Sequence, residues 1–387
     1  MKMTNHPFHQ LAVMKKVAQT DRKVIDYYRC IYKKALWDEA AKEIVLRHQI
    51  KRDNVSQFMI EQLIQELGSN TLPLTILKQN TPVMNELLQQ VILLVLSSIF
   101  DEAHDRMNQA QNRHAIIHSI HKQKDKMHIL MTGSFSKDIQ HSIHPLFHEK
   151  IVDKRFVHLI KVLLAQLDKQ ADKYFLSKDL LRFVREVFYQ KFDSWIKEHD
   201  KGVCYQRYKQ DFFIGIKHRG LDVKQFTQRI KQFTHKQNLN LQRLQAQPAK
   251  KGIHFLGYKI YLHPSKIHVQ CDIPNQSIQQ FIQDHGYGEW QTFTSASRPY
   301  LLHLPEEKII RVYNRELSLF AGQYKLATDF HRLRPVLYLA QRSLLQTIAR
   351  KRNSTPKKIK KRLARQQTGH IRLITYPRLK KLSKKIN

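Results

Sequence analysis

Apolar residues recur at helical spacing over long stretches of the chain. One stripe with the period of an α-helix runs through KKALWDEAAKEIVL and comprises Leu36, Ala40, Ile44 and Val45. A second stripe, in DKRFVHLIKVLLAQL, comprises Phe156, Leu159, Ile160, Leu163 and Leu164. Further helices are predicted over residues 54–68, 84–101, 103–126 and about 176–197, with Asn54 as the N-cap and Gly68 as the stop of the first. The first half of the chain is therefore predicted to be mainly helical.

The segment VCYQRYKQDFFIGI has a different pattern. Aromatic and β-branched residues lie on both sides of the polar break Lys209-Gln210-Asp211, which predicts a β-hairpin. A second β-rich stretch, GIHFLGYKIYLHPSKIHVQ, begins at Gly252. Helices lie between these stretches, so the pattern indicates an α+β order in this part of the chain.

The pattern divides the chain into three regions. Residues 1–125 are predicted to be helical, residues 126–272 to form a mixed α+β region, and residues 273–387 to be helical again. From His331 to the end there are 18 Lys and Arg and no Asp or Glu. Apolar residues keep helical spacing in this acid-free stretch, so we expect a folded basic module.

Composition points to a polyanionic partner. The 387 residues carry 67 Lys and Arg against 32 Asp and Glu, a net charge of +35. Nucleic acid is the first expectation, and an acidic membrane surface is the second. The apolar run at 87–100 is interrupted by polar residues and falls short of the about 20 residues that span a bilayer, so we expect a core helix and no membrane contact. The N-terminal residues predict no secretion signal.

Cysteine usage argues against a metal or disulfide framework. Cys30, Cys204 and Cys271 stand far apart and none forms a C-x-x-C pair. The 22 histidines are scattered and lack thiol or carboxylate partners at ligand spacing. We predict neither a structural metal nor a cofactor.

Several motifs follow one another in an order that is familiar from one family. TPVMNELLQQVILLVLSSIFD (81–101) is similar to I-P-T-x-x-D-R-x-x-Q followed by I-F-E, YKQDFFIG (208–215) to Y-A-D-D-F-V-I-G, and GIHFLGYKI (252–260) to a strand motif that ends in F-L-G-Y. In the basic region, RELSLFAGQYKLATDF (315–330) and RSLLQTIARKRNSTPKKIKKR (342–362) are similar to Y-Y-x-x-A and S-x-x-x-T-x-A-x-K. The chain resembles the group II intron maturases over roughly residues 25–365.

The resemblance implies an architecture. These maturases join a reverse-transcriptase-like domain to a helical maturase, or X, domain. Residues 1–125 would then include the fingers-like region, residues 126–272 the palm-like region, and residues 273–387 an all-α thumb and X-like domain.

The departures from the family concern the polymerase site. The family's paired Asp is Gln210-Asp211 here, and an ungapped alignment of MTGSFSKDIQH on D-I-K-G-F-F-D places Met131 at the opening Asp and Lys137 at the later acidic position. A neutral amide and a soft thioether do not replace carboxylate ligands of Mg²⁺. The fingertip motif P-K-x-x-G-x-x-R-P also has no counterpart between Gly68 and Pro82. We interpret Tyr208, Gln210, Asp211 and Met131 as vestiges of a lost polymerase site.

The candidate binding site lies in the basic region. In RKRNSTPKKIKKRLAR, Asn353, Ser354 or Thr355 can cap a helix that begins at Pro356. Two basic helices would then meet at a turn, which suits phosphate binding. The predicted RNA-binding residues are Arg350, Lys351, Arg352, Lys357, Lys358, Lys360, Lys361 and Arg362, together with Tyr313 and Tyr324 as stacking rings. For the two tyrosines, packing in the core is the alternative.

The resemblance implies an RNA-binding splicing factor that stabilises a folded group II intron, with catalysis left to the RNA and reverse transcriptase activity lost. Two alternatives remain open: an active reverse transcriptase with a rearranged carboxylate such as Asp138, and a general basic RNA-binding protein. A homodimer or other splicing factors are possible partners besides the precursor RNA. The resemblance implies an organelle as the setting, first a plastid, with a mitochondrion or the bacterial cytoplasm as alternatives.

Overall fold

The computed structural model describes most of the 387-residue chain. The described residues are 11–13, 15–16, 27–48, 55–68, 82–108, 112–123, 126–136, 147, 150–169, 179–199, 202–217, 220–263, 268–365 and 373–384. Three residues named in the sequence analysis lie outside the described residues. They are the predicted N-cap Asn54, the Lys137 that aligns with an acidic position of the family, and Asp138, the carboxylate of the alternative metal site.

Helices occupy the positions that the apolar stripes predict. In chain order they are α1 Tyr27–Ile31, α2 Lys34–His48, α3 Gln57–Gly68, α4 Pro82–Ile99, α5 Asp101–Asn108, α6 Arg113–His121, α7 Lys154–Lys169, α8 Asp179–His199, α9 Val223–Lys236, α10 Asn275–Asp284, α11 Glu306–Gln323, α12 Leu333–Lys351, α13 Pro356–Arg365 and α14 Tyr376–Ser383. The stretch 103–126 holds two helices, α5 and α6, where one was predicted. Among the described residues, no helix combines the length and apolarity that crossing a membrane requires.

A four-stranded antiparallel sheet is built from residues 126–272, for which we keep the label palm-like region from the resemblance. Its strands are β1 Ile129–Phe135, β2 Val203–Tyr208, β3 Asp211–Ile216 and β4 Leu241–Pro248, in the order β2-β3-β1-β4. β2 and β3 form the predicted hairpin, with Tyr208 paired to Asp211. The hairpin prediction is confirmed, although the turn has two residues, Lys209 and Gln210, instead of three.

This sheet separates two apolar cores, because successive side chains of a strand point to opposite faces. On β3, Phe212 and Ile214 join a core that also takes the buried faces of α2, α4, α7 and α8. Phe213 between them points to the other face, toward a core formed mainly by residues 253–379. The buried residues thus form two clusters, whereas the sequence suggested three regions.

A second, three-stranded sheet follows. It consists of β5 Ile253–Phe255, β6 Tyr258–Tyr261 and β7 Gln270–Asp272. Leu256 and Gly257 link β5 to β6 with φ of 47° and 86°, the left-handed backbone of a two-residue hairpin turn. The F-L-G-Y motif is therefore a tight turn between strands, and its glycine meets the positive φ.

The C-terminal region is not wholly helical. A short hairpin, β8 Gly288–Glu289 and β9 Thr294–Ser295, lies between α10 and α11. Gly288 has φ 135°, and a Cβ there would lie 2.0 Å from the carbonyl oxygen of Thr294. The expectation of an all-α region after residue 272 is wrong at this point. Gly288 lets the two strands approach closely. Strands of two residues are too short to show an alternation of apolar and polar residues in the sequence.

Candidate nucleic-acid interface

The turn between α12 and α13 gathers positive charge. α12 ends at Lys351 and α13 begins at Pro356. The Oγ1 of Thr355 accepts the backbone N–H of Lys358 at 3.4 Å, so Thr355 caps α13. Asn353 has φ 47°, a left-handed conformation that asparagine tolerates. The predicted meeting of two helices at a capped turn is confirmed.

The structure brings the predicted cations together on this turn. Those that are exposed are Arg350, Arg352, Lys357, Lys358, Lys360 and Lys361. Lys357 and Lys358 stand in the first turn of α13, where positive side chains oppose the helix dipole. An anion beside them would relieve this repulsion, and the backbone amides of a helix start add to such a site.

The remaining two cations are partly engaged within the protein. The Nζ of Lys351 donates to the carbonyl oxygen of Leu302 at 2.6 Å, and Arg362 pairs with Glu306. Glu306, at the start of α11, also accepts from Arg352. Burial would raise the pKa of the Glu306 carboxyl, but the hydrogen bonds from Arg352 and Arg362 hold it below its ordinary value. Glu306 thus stays ionised and anchors α13 and the end of α12 to α11.

A groove of about 880 Å³ lies beside this acidic anchor. Its lining includes Lys308, Arg311 and Lys351 besides the three residues of the Glu306 ion pairs. The charged side chains of the groove are mainly cationic, and apolar side chains such as Ile310 and Leu363 also line it. The cations suit a phosphate-bearing ligand.

The motif S-x-x-x-T in α12 faces inward. Ser343 and Thr347 are fully buried. The Ser343 hydroxyl donates to the carbonyl oxygen of Ala296 at 2.6 Å, and the Oγ1 of Thr347 accepts the backbone N–H of Arg298 at 3.0 Å. The motif binds the segment after the β8–β9 hairpin to α12, so its spacing serves packing.

Tyr313 and Tyr324 do not face solvent. Tyr313 is 0% exposed, and its hydroxyl lies 2.9 Å from the Ser343 Oγ. Tyr324 is 3% exposed and contacts the ring of Tyr258 edge-on at 5.4 Å. The prediction that these rings stack on RNA is wrong, because packing of α11 against α12 and the second sheet covers both.

The hairpin of the palm-like sheet carries a single carboxylate near its tip. Asp211 is the first residue of β3 and pairs with Ser134 of β1. Lys209 has φ 54°, and the backbone N–H of Phe135 donates to the carbonyl oxygen of Gln210 at 3.0 Å. The residue of β1 that directly faces Asp211 is therefore Ser134, a hydroxyl and not a carboxylate.

Met131, which the ungapped alignment places at the opening Asp, lies in the interior of β1. It is fully buried and pairs with Ile214, three residues away from the Asp211 register position. Met131 and Ile214 belong to the first core, whereas Ser134 and Asp211 alternate onto the other face. Strand register therefore puts Ser134, and not Met131, beside the tip of the hairpin, and the interpretation of Met131 as a vestige stays a prediction.

No carboxylate set for two metal ions is found in the described part of the chain. There, no three His, Cys, Asp or Glu side chains lie close enough together to hold a metal ion. Among the described residues, Asp211 therefore does not belong to a carboxylate set of the kind that clamps a metal pair for nucleotide transfer.

Comparison with known proteins bears on the basic region. Residues 266–385 match the family model of the type II intron maturase. We call residues 266–385 the maturase domain after the family model that they match. The chain is also 31% identical over 177 residues to the group II intron-encoded protein LtrA of Lactococcus lactis subsp. cremoris, and to that of its strain MG1363. The match covers 40% of this chain and 30% of the relative, so it spans less than a third of the LtrA length. The resemblance to group II intron maturases is confirmed.

The maturase domain contains the capped turn, the Glu306 anchor and the S-x-x-x-T clamp. At its centre, Arg298 is 3% exposed and pairs with both carboxylate oxygens of Glu316 at 2.8 and 2.9 Å. The guanidinium lies 4.6 Å from the ring centroid of Tyr313, and Tyr287 donates to Glu316 at 2.8 Å. Arg298 thus holds the β8–β9 hairpin region against α11.

Outside the maturase domain, a buried charge cluster that was not predicted from the sequence supports the palm hairpin. Arg207 of β2 donates to both oxygens of Asp193 at 2.8 Å, to both oxygens of Glu186 at 2.7 and 3.3 Å, and to the Lys209 carbonyl oxygen at 2.8 Å. All five N–H groups of the guanidinium are satisfied. One signal was available: Glu186 and Asp193 are seven residues apart, on the apolar face of α8.

The electrostatics of this cluster favour its charged form. Burial would raise the pKa of Asp193, but Arg207 and Arg106 hold it below its ordinary value. Tyr205 donates to Asp193 at 2.5 Å, and burial beside that carboxylate raises the pKa of the Tyr205 hydroxyl well above the usual range. The cluster therefore fastens α8 to the hairpin without offering a free group for chemistry.

Proposed function

We propose that this chain is a group II intron maturase that binds the folded intron RNA and stabilises it, and that it does not synthesise DNA. The observation that carries the proposal is the exposed lysine cluster at the start of α13, inside a maturase domain that holds no acid from His331 onward. Intron folding brings phosphates close together, and a cationic surface lowers the repulsion between them.

The geometry of the palm-like sheet supports the second half of this proposal. The β1 residue that faces Asp211 is Ser134, which offers a hydroxyl and no carboxylate from the second strand. Gln210 in the turn contributes a neutral amide. A Mg²⁺ pair in this place would lack most of its charged ligands. In this proposal the sheet is a scaffold that supports the RNA-binding domain.

The partner and setting belong to the same proposal. We name a structured precursor RNA as the ligand, with a homodimer or further splicing factors as additional partners. We propose an organelle, and in the first place a plastid, as the setting. This part of the proposal is supported by the resemblance alone. Crosslinking in native lysate followed by sequencing of the bound RNA identifies both the ligand and its compartment.

The test removes the α13 lysines. The variant replaces Lys357, Lys358, Lys360 and Lys361 with Gln, and binding to a structured intron RNA is measured by filter retention over a range of salt concentrations. We expect weaker binding and a log-log salt slope that is flatter by about 0.7 to 0.9 for each phosphate that the protein no longer neutralises. Thermal stability should stay equal or rise slightly, because the helix start loses repulsive charge.

A matched control removes four exposed lysines elsewhere. Lys224, Lys231, Lys236 and Lys251 lie on α9 and in the loop after β4, and their replacement with Gln changes net charge by the same amount. If the control weakens binding as much as the α13 variant, the effect is one of bulk charge and the proposed surface is wrong. If only the control weakens binding, the RNA lies along the palm-like region.

A further inference from the structure

Three aromatic rings meet on the surface of the maturase domain. Phe293, at the end of the β8–β9 turn, is 37% exposed, and Tyr338 of α12 is 49% exposed. Their rings are parallel within 6°, with centroids 5.7 Å apart. Trp290 contacts Phe293 edge-on at 5.9 Å, and the Arg342 guanidinium lies 5.8 Å from the Tyr338 centroid. We call these four residues the aromatic platform.

The backbone at Phe293 is unusual. Its φ is 54°, in the left-handed region that glycine and asparagine occupy easily and that is an outlier for a bulky residue. The hairpin keeps this conformation although an asparagine would fit with less strain. A strained aromatic residue whose ring stays at the surface contributes little to packing, which points to a binding role.

Charge surrounds the aromatic platform on one side. Arg334, Tyr338 and Arg342 recur at four-residue spacing along α12, and the same row continues through Gln346 to Arg350 at the basic turn. The twelve residues from Tyr338 to Arg350 span about 18 Å of helix. The acid within the hairpin, Glu289, accepts the hydroxyl of Thr292 at 2.8 Å.

We infer that the aromatic platform stacks an unpaired base of the RNA whose phosphates lie on the α12–α13 turn. Aromatic faces and a guanidinium plane are the surfaces that bind splayed-out bases, and stacking of this kind tolerates any base. The cationic row toward Arg350 favours a nucleic-acid strand over a protein segment, since the described residues of α12 and α13 carry no acid. This inference rests on the proposed function and specifies that the aromatic platform binds an unpaired base of the RNA.

The experiment uses the whole chain and two RNA probes at low salt. One probe is a short hairpin whose unpaired loop carries a fluorescent purine analogue, and the other is the matching blunt duplex. Stacking should quench the fluorescence on binding. Phe293→Asn should remove the quenching and weaken binding of the hairpin at least about fivefold, with the duplex affected less. The melting temperature of the Phe293→Asn protein should change little. The substitution relieves the strain of the left-handed backbone, and this gain offsets the lost contacts of the Phe293 ring.

Control variants keep the result interpretable if one substitution disturbs folding. Tyr338→Phe retains the ring and should bind as the wild type does, whereas Tyr338→Ser should resemble Phe293→Asn. Leu319→Ser removes an exposed apolar side chain from another helix, α11, and should leave quenching unchanged.

The outcomes separate this inference from the proposed function. If the wild type binds the hairpin and neither Phe293→Asn nor Tyr338→Ser changes affinity or quenching, the aromatic platform is not a base-binding site, while RNA binding by the lysines stands. If the wild type binds no RNA, both proposals fail. A photoreactive phenylalanine analogue at position 338 that crosslinks to a polypeptide and not to RNA also overturns the inference.

Discussion

Replacing Arg207 with Met should strongly destabilise the palm-like region. The Arg207 side chain is 2% exposed, and its partners Glu186 and Asp193 are 8% and 1% exposed. Asp193 would keep Arg106 and Tyr205, but Glu186 would lose the counterion that Arg207 provides. Removal of one partner from a buried ion pair costs about 3–5 kcal/mol of folding free energy, because a charge is left buried without compensation.

The magnitude can be tested by urea denaturation followed by circular dichroism. Arg243→Met is the matched control, because Arg243 is exposed on β4 of the same sheet and its loss should change stability by less than about 0.5 kcal/mol. The triple variant Arg207→Met, Glu186→Gln, Asp193→Asn removes the stranded charges and should recover part of the loss. Equal stability of Arg207→Met and Arg243→Met, or a triple variant that is less stable than Arg207→Met, would refute the account of charge burial.

Further predictions concern the same sheet. The pKa of Asp193 is held below its ordinary value in the folded protein. The stability that ionised Asp193 contributes is therefore complete above the unfolded-state pKa of about 3.9 and is lost as the pH falls further. Asp193→Asn should thus make the urea midpoint of unfolding decline less steeply in acid. Ile214→Asp should lower the free energy of unfolding by about 3–5 kcal/mol because Ile214 is fully buried, whereas Asp211→Asn should be nearly neutral; equal melting losses would reveal a structural partner of Asp211. Purified protein should not extend a primer on an RNA template with Mg²⁺ or Mn²⁺, and Gln210→Asp should not restore extension; activity that Asp211→Asn abolishes would contradict a lost polymerase site.

The S-x-x-x-T motif of α12 has a structural role in the maturase domain. Ser343 and Thr347 face the protein interior and hold Ala296 and Arg298. This clamp positions the hairpin that carries Phe293, so the motif supports the aromatic platform from behind. A change at Thr347 should therefore affect the proposed RNA binding only through the position of the hairpin, since the Thr347 side chain is fully buried.

Local periodicity determined much of this protein in advance. The stripes through α2 and α7, the hairpin at Lys209-Gln210 and the capped start of α13 follow from interactions between residues close in sequence, and such interactions are legible in a single chain. The acid-free basic region also follows from composition, because net charge does not depend on the fold.

Tertiary structure alone decided which of these residues meet and which are covered. Strand register placed Ser134, and not Met131, opposite Asp211, because a shift along a strand changes both the distance and the face of every side chain. Packing of α11 against α12 buried Tyr313, while the left-handed turn at Phe293 kept a ring on the surface. The five hydrogen bonds of Arg207 join β2, α8 and the turn between the strands. The seven-residue spacing of Glu186 and Asp193 places both on one helix face, but only the tertiary structure brings Arg207 to them.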